Sequence, residues 1–346
     1  MSIASHRNWR VVVTDYIEKN LDWERAQLAG HPEIIFEAFQ LKQASASEVI
    51  AAVKSADILV VNMMPLHRPV IDALDHCHLV IRHGVGYDNI DVAALTERGI
   101  IFINIPDYCV EEVAEQTVML LLACARKFGF QQQALDESVA IGEWRFARVE
   151  PIYRLSGTTL GIVGCGRIGS AVLRMTQGFQ MNYLVCDPYL TPERKAELGI
   201  IPVSLAEVLK GSDFVTIHTP LTSETYHLIG EAELRWMKPS AFLINTARGG
   251  IVDHAALIRA CQERWIAGAA IDVYELREPP SPDDPLLKLD NIYCTPHLAW
   301  YSVESEWEIR QKIVDNIVRV VCGQLPDNIV NPEVLNGFFS KIPITG

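Results

Sequence analysis

Short runs rich in Val and Ile recur from one end of the chain to the other, with amphipathic stretches between them. Strands buried on both faces read as continuous apolar runs, and parallel neighbours need a crossover between them. The alternation therefore restricts the fold to parallel α/β sheets. The first third predicts strands at 10–15, 33–39, 57–62, 78–82 and 100–105, with helices between them such as 47–55, where a serine caps and Glu48 lies in the first turn. A second series predicts strands at 159–163, 183–187, 214–218, 241–245, 267–273 and 292–295. Between the two series, 111–128 reads as a helix apolar almost all round, which requires burial at an interface. Residues 131–156 read as a long loop with a role outside its own fold. A helix over about 302–322 carries the chain back to the first series. At 346 residues the chain is long for one core, and the pattern predicts two doubly wound parallel-sheet domains, 1–108 with 300–346 and 109–299, with a cleft between them.

One segment points to what the second domain binds. Thr159-Leu-Gly-Ile-Val-Gly164-Cys-Gly166-Arg167-Ile168-Gly169 runs as an apolar strand into G-x-G-x-x-G and on into a helix. Gly164 makes the tight turn, Gly166 lets a pyrophosphate approach the backbone, and Gly169 lets the helix pack on the strand. The helix N-terminus then presents free N–H groups to negative charge. The next strand ends in Asp187, about 20 residues on, where an acid binds the adenosine ribose 2′-OH. Asp187 repels a 2′-phosphate and Pro188-Tyr189 offers no arginine to receive one, which favours NAD over NADP.

Three later segments end strands on the side where such sheets bind ligand: Ile244-Asn-Thr-Ala-Arg248-Gly-Gly, Asp272-Val-Tyr-Glu-Leu-Arg-Glu278-Pro-Pro and Cys294-Thr-Pro-His297-Leu-Ala-Trp300. Beside a nicotinamide they supply what reduction of a 2-keto acid needs. A planar guanidinium suits the carboxylate and carbonyl oxygens, and a histidine next to a carboxylate delivers a proton near neutral pH. Taken singly, Arg248 could be a surface ion-pair partner and His297 a loop histidine with its hydrogen bonds met. The joint pattern beside the glycine loop favours chemistry.

Together with Arg82-His-Gly-Val-Gly-Tyr-Asp-Asn-Ile-Asp91, these motifs resemble the D-isomer-specific 2-hydroxyacid dehydrogenase family over nearly the whole chain. Arg82-His-Gly-Val-Gly and the Trp-Tyr-Ser after His297 are most similar to phosphoglycerate-dehydrogenase-like members and the C-terminal-binding corepressors. The resemblance implies a flavodoxin-like substrate domain, a Rossmann NAD-binding domain, and hydride transfer between NAD and C2 of a small 2-keto or D-2-hydroxy acid. It implies that Arg248 binds substrate, that His297 is the general acid/base, and that Glu278, before the proline pair, orients it. Family members place that glutamate five residues after the aspartate of the Asp-Val pair. Here that position is Arg277, so the chain carries one extra residue, and Glu275 is the alternative partner. Gly84-Val85-Gly86 resembles a cradle that holds the substrate carboxylate by backbone N–H groups. The implied substrate contacts are Arg82, Val85, Gly86, Arg248, His297 and Trp300. The implied cofactor contacts are Gly164, Gly166, Arg167, Ile168, Gly169, Asp187, His218, Thr219, Pro220, Thr225, Thr246, Ala247, Arg248, Asp272 and His297, with Asp272 facing the nicotinamide carboxamide. A homodimer through the second domain is implied as well, which would account for the 111–128 helix and the loop containing Trp144.

Composition narrows the partners. Lys and Arg number 30 against 43 Asp and Glu, a formal charge of −13, so nucleic acid and anionic membrane are expected to be repelled. MSIASHRNWR lacks the apolar core of a signal peptide, and the run 118–125 is far short of the roughly 20 residues that span a bilayer. Eight cysteines with no C-x-x-C pair and no zinc spacing read as thiols in a reducing cytoplasm, with no metal expected. The substrate stays open. Asn62-Met-Met-Pro-Leu-His67 is expected to overlook its side chain, its methionines suggesting an apolar pocket, whereas a phosphorylated acid would call on Arg82, His67 and Arg68. The alternative to an enzyme is an NAD(H)-sensing, corepressor-like protein with weak dehydrogenase activity.

Overall fold

In the computed structural model, which describes residues 8–147 and 149–335, the chain divides into two compact units, Met1–Tyr108 with Val303–Gly346, and Cys109–Ser302. The first holds five parallel strands, β1 (Trp9–Val13), β2 (Ile34–Ala38), β3 (Ile58–Val61), β4 (Leu79–Arg82) and β5 (Ile101–Ile103), in the order β2-β1-β3-β4-β5. Every residue of β3, β4 and β5 is buried, which is why they show no polar alternation. The helix expected at 47–55 runs instead over Ala46–Val53. Ser45 is its cap, and a reciprocal capping box with Glu48 sets the start.

The chain returns to this unit as the helix Val303–Val321, which buries Ile309, Ile313, Ile317 and Val320 at helical spacing. Beyond it the chain clips to the edge of β5. Val330 N donates to Phe102 O at 2.9 Å, Asn331 Oδ1 accepts from Phe102 N at 2.8 Å, and Asn331 Nδ2 donates to Ile100 O at 3.0 Å.

The second unit holds six parallel strands, β6 (Thr159–Val163), β7 (Asn182–Cys186), β8 (Phe214–Ile217), β9 (Phe242–Asn245), β10 (Gly268–Ile271) and β11 (Ile292–Cys294), in the order β11-β10-β9-β8-β6-β7. The order reverses between β6 and β8. Ligands bind at such a switch point, outside the carboxyl ends of the strands. A Rossmann sheet commonly carries a further strand outside β7; here that place is marked by a single bond, Val203 N to Val185 O at 2.8 Å. All strands of both units lie within two residues of their expected bounds.

Two expectations are corrected. The helix Val110–Arg126 is not apolar all round. Val113, Ala114, Thr117, Leu120, Leu121 and Cys124 pack inward, with the helix against Arg167–Thr176, while Glu111, Glu115 and Met119 are exposed. Its burial comes from its own unit. The stretch expected as one long loop opens with a helix, Phe128–Ile141, separated from the preceding one by Lys127 at φ 51. It buries only Ala134 and Ser138, so its sequence carries almost no apolar stripe. Among the described residues no helix is long and apolar enough to cross a membrane.

Candidate active site

The turn from β6 into the helix Arg167–Thr176 is made at Gly164, φ 87, a left-handed conformation that side chains resist. A Cβ on Gly164 would stand 2.7 Å from His218 O, and one on Gly169 2.1 Å from Gly164 O, so backbone packing demands both glycines. Gly166 differs: nothing lies within 4 Å of where its Cβ would be. Open space over a helix N-terminus is what a pyrophosphate requires. Asp187 stands beside this loop, its Oδ2 accepting from Cys165 N at 2.8 Å and its Oδ1 from Tyr189 N at 2.9 Å. Thr219 packs its methyl group against Gly164, and its buried Oγ1 has no hydrogen-bond partner among the described residues, a donor left over for a ligand. These residues fit a dinucleotide.

The other expected cofactor residues frame the same edge. His218 Nε2 lies 2.9 Å from Thr216 Oγ1, and loss of hydration pushes its pKa down to about 3, so the ring is neutral. Thr225 Oγ1 donates to Pro220 O at 2.6 Å, and Thr246 Oγ1 meets Thr117 Oγ1 at 2.8 Å; both brace their loops. Ala247 N donates to Asn245 Oδ1 at 3.0 Å. Arg167 is exposed and Ile168 half-buried at the helix start. Two hydrogen bonds lay outside the sequence reading: Tyr189 O–H donates to the Glu224 carboxylate, and Arg194 Nη2 to Ser170 Oγ at 2.8 Å. Pairs between separate elements leave no periodic trace, so no signal marked them.

The loops after β9, β10 and β11 carry the polar groups. His297 Nδ1 is 2.6 Å from Glu278 Oε2, and Glu278 Oε1 accepts from Tyr274 N at 2.9 Å. Burial works to raise the Glu278 carboxyl, but the hydrogen bond and charge of His297, the Tyr274 N–H and the Arg248 charge outweigh it. The group ends below the usual carboxylate range. His297 is left-handed at φ 55, a conformation costing about 1–3 kcal/mol in a non-glycine residue unless its surroundings fix it. Asp272 does the fixing. Its carboxylate has no exposure; Oδ1 accepts from Thr295 Oγ1 at 2.5 Å and Leu298 N at 3.1 Å, and Oδ2 from Ala299 N at 2.8 Å. Asp272 closes β10 and anchors the histidine loop.

Arg248 is extended, with Nη1 donating to Ala247 O at 2.8 Å. A Cβ on the next residue, Gly249, would lie 2.1 Å from the Tyr274 carbonyl carbon, so the arginine turn rests directly on the 274–278 segment. Glu275 faces away from His297, toward His227. Trp300 is half-buried, edge-on to Tyr301 with ring centroids 5.4 Å apart.

In the first unit, Arg82 is 6% exposed and tucked beneath the loop it precedes, donating to Asn62 Oδ1 at 3.3 Å and to His83 O. A Cβ on Gly84, φ 147, would stand 2.9 Å from its Nη1. Arg82 thus supports the loop it precedes. The carbonyls of Gly84 and Val85 are taken by Ile105 N at 3.1 Å and Asn104 Nδ2 at 2.6 Å. Asp15 accepts from the N–H groups of Asn62, Met63 and Met64 at 3.1, 2.7 and 3.1 Å, and Met64 is core filler at 1% exposure. Arg68 pairs with Glu97 at 2.7 Å.

Comparison with known proteins shows the family. Residues 118–299 match the model of the NAD binding domain of D-isomer specific 2-hydroxyacid dehydrogenases. A glyoxylate reductase from Korarchaeum cryptofilum is 43% identical over 291 residues, covering 83% of this chain and 86% of that one. The chain belongs to the D-isomer specific 2-hydroxyacid dehydrogenase family. A D-3-phosphoglycerate dehydrogenase from Archaeoglobus fulgidus is 40% identical over 288 residues, 83% of this chain and 54% of that longer one. Among solved structures, D-lactate dehydrogenase from Aquifex aeolicus, complexed with NAD and lactic acid, superposes with a TM-score of 0.82 at 29% identity, over 93% of this chain and 99% of that one. As a D-2-hydroxyacid dehydrogenase, the chain is an NAD-dependent oxidoreductase acting between 2-keto and 2-hydroxy acids.

Proposed function

We propose that this dehydrogenase reduces a small unphosphorylated 2-keto acid to its D-2-hydroxy acid, with Arg248 binding the carboxylate and carbonyl oxygens and the His297–Glu278 pair as general acid/base. The observation that carries the reading is the 2.6 Å contact between His297 Nδ1 and Glu278 Oε2. It leaves Nε2 as the nitrogen that gives a proton to the substrate oxygen, while Glu278 offsets the imidazolium charge. Bound NADH supplies the hydride. The guanidinium of Arg248 offers a planar pair of donors, which favours the negative charge developing on oxygen over the neutral carbonyl. Asp187 holds the adenosine ribose hydroxyls, and the open face of Gly166 admits the pyrophosphate.

Val85 and Gly86 support a carboxylate cradle, because their N–H groups have no acceptor among the described residues. A phosphorylated substrate is disfavoured because Arg82 is buried and Arg68 is paired. Glyoxylate leads the candidates on the strength of the 43% identical relative. A homodimer through the second unit is supported by Phe128, Leu135, Val139, Ile141, Trp144 and Phe146, large apolar side chains 44% to 73% exposed on one helix and the loop after it. A cytoplasmic setting is supported by eight cysteines that remain thiols, Cys77, Cys109, Cys124, Cys165 and Cys261 among them buried.

The deciding experiment is steady-state turnover with glyoxylate, hydroxypyruvate, pyruvate and phosphohydroxypyruvate, each with NADH and NADPH. Turnover of an unphosphorylated acid with NADH is expected. Tight NADH binding with negligible turnover on every acid would favour a sensor and sink the reading.

A further inference from the structure

We infer that His227 and Glu275 form a positioning pair that holds the 274–278 segment in place, and so presents Glu278 to His297. The inference rests on the acid/base reading above and goes past it to what keeps that pair assembled.

Glu275 is 13% exposed and draws donors from two separate stretches of chain. Its Oε1 lies 2.5 Å from His227 Nε2 and 3.2 Å from Tyr226 O–H, and its Oε2 accepts from His254 N at 3.0 Å. His227 is fixed in turn. It is left-handed at φ 51, its ring stacks on Tyr226 with centroids 4.0 Å apart, and its Nδ1 lies 3.7 Å from Asp253 Oδ2. Its N–H donates to Gly250 O at 2.9 Å, two residues past Arg248. The pair therefore grips both the arginine turn and the segment that carries the acid partner.

The segment needs such a grip. Between Glu275 and Glu278 stand only Leu276, 73% exposed, and Arg277, also exposed, so no buried side chain anchors the bridge. Its position is set at its ends, and one end is Glu275. On the other side Gly249 lies against the Tyr274–Glu275 peptide so closely that a Cβ there would be 2.3 Å from Glu275 N. Movement of Glu275 is passed to the arginine turn and to Glu278 together. Glu275 bonds none of the atoms of His297, which makes it a positioning residue rather than a catalytic one.

The test compares Glu275→Ala, Glu275→Gln and Glu278→Gln in keto-acid reduction across pH, with NADH affinity followed by fluorescence. Glu275→Ala is expected to lower kcat ten- to hundredfold, the scale of a misplaced catalytic group. It should also move the alkaline limb of the profile toward lower pH, with NADH affinity unchanged within about twofold. Glu275→Gln keeps an acceptor for His254 N and should restore most of the rate. Added to Glu278→Gln, Glu275→Ala should cost little more, since both act through one carboxylate. Should Glu275→Ala fail to fold, His227→Ala cuts the shortest bond at a half-buried site and carries the same expectation. A limb that stays in place in the Glu275 and His227 variants while Glu278→Gln moves it overturns the inference alone. A limb unmoved by Glu278→Gln overturns the acid/base reading, and the inference falls with it.

Discussion

Glu278 is shared between His297 Nδ1, 2.6 Å from one oxygen, and the Tyr274 N–H, 2.9 Å from the other, so one carboxylate ties the imidazole to the loop after β10. The hydrogen bond and charge of His297 help hold the Glu278 carboxyl below its usual range, so it stands ionised beside the ring. Glutamine at 278 preserves the shape and removes the charge. The alkaline limb of the reductive kcat/KM profile should therefore move to lower pH, with the rate near neutrality falling about ten- to hundredfold, a fraction of the roughly 10²–10⁴ that general acid catalysis contributes. Superimposable profiles for wild type and Glu278→Gln would remove the pair from the chemistry.

Cofactor choice turns on Asp187, whose two oxygens are already oriented by Cys165 N and Tyr189 N. NADH should be preferred to NADPH by roughly two orders of magnitude, because the ribose diol makes a charge-assisted hydrogen bond where a 2′-phosphate would be repelled. Asp187→Ala should narrow the gap mainly by raising KM for NADH. Equal kcat/KM for both cofactors in the wild-type enzyme would refute the assignment.

Arg248→Lys replaces a planar fork with a point charge and should not be tolerated. A loss of roughly 10²–10³ in kcat/KM for the keto acid is expected, the scale of removing one donor from a developing oxyanion. NADH affinity, read by fluorescence titration, should hardly change. A lysine variant of near-normal efficiency would place Arg248 outside the substrate site.

His218 makes stability depend on pH. Its folded pKa of about 3 lies far below the ordinary value of 6.5, so between those limits the unfolded chain binds a proton that the folded chain refuses. The contribution is full above pH 6.5 and is lost as the pH falls toward 3, by a few kcal/mol. Urea midpoints should drop on acidification, and the drop should be smaller in His218→Gln. Equal slopes against pH in the two proteins would show that the ring protonates freely in the fold.

The strands were legible because burial on both faces writes itself as uninterrupted Val and Ile, as in the ILVV of β3. The glycine loop was legible because each glycine answers a separate steric demand. The helix Phe128–Ile141 was not. With only Ala134 and Ser138 buried, periodicity had nothing to report. Arg82 reads as a free cation in sequence, and only the fold shows its guanidinium folded under Gly84. Spacing alone left Glu275 and Glu278 as rivals for His297. Three dimensions separate them, because each carboxylate has its own histidine.

The clip that Asn331 makes on β5 bears on how this protein can be handled. Its side chain occupies Phe102 N on the last strand of the first sheet and Ile100 O just ahead of that strand, groups that would otherwise be an open template for another strand. A polypeptide truncated ahead of Asn331 would keep every group of the proposed chemistry and yet acquire adhesive sheets. Its failure would be seen as turbidity and loss of soluble yield, long before any assay of turnover registered a fault.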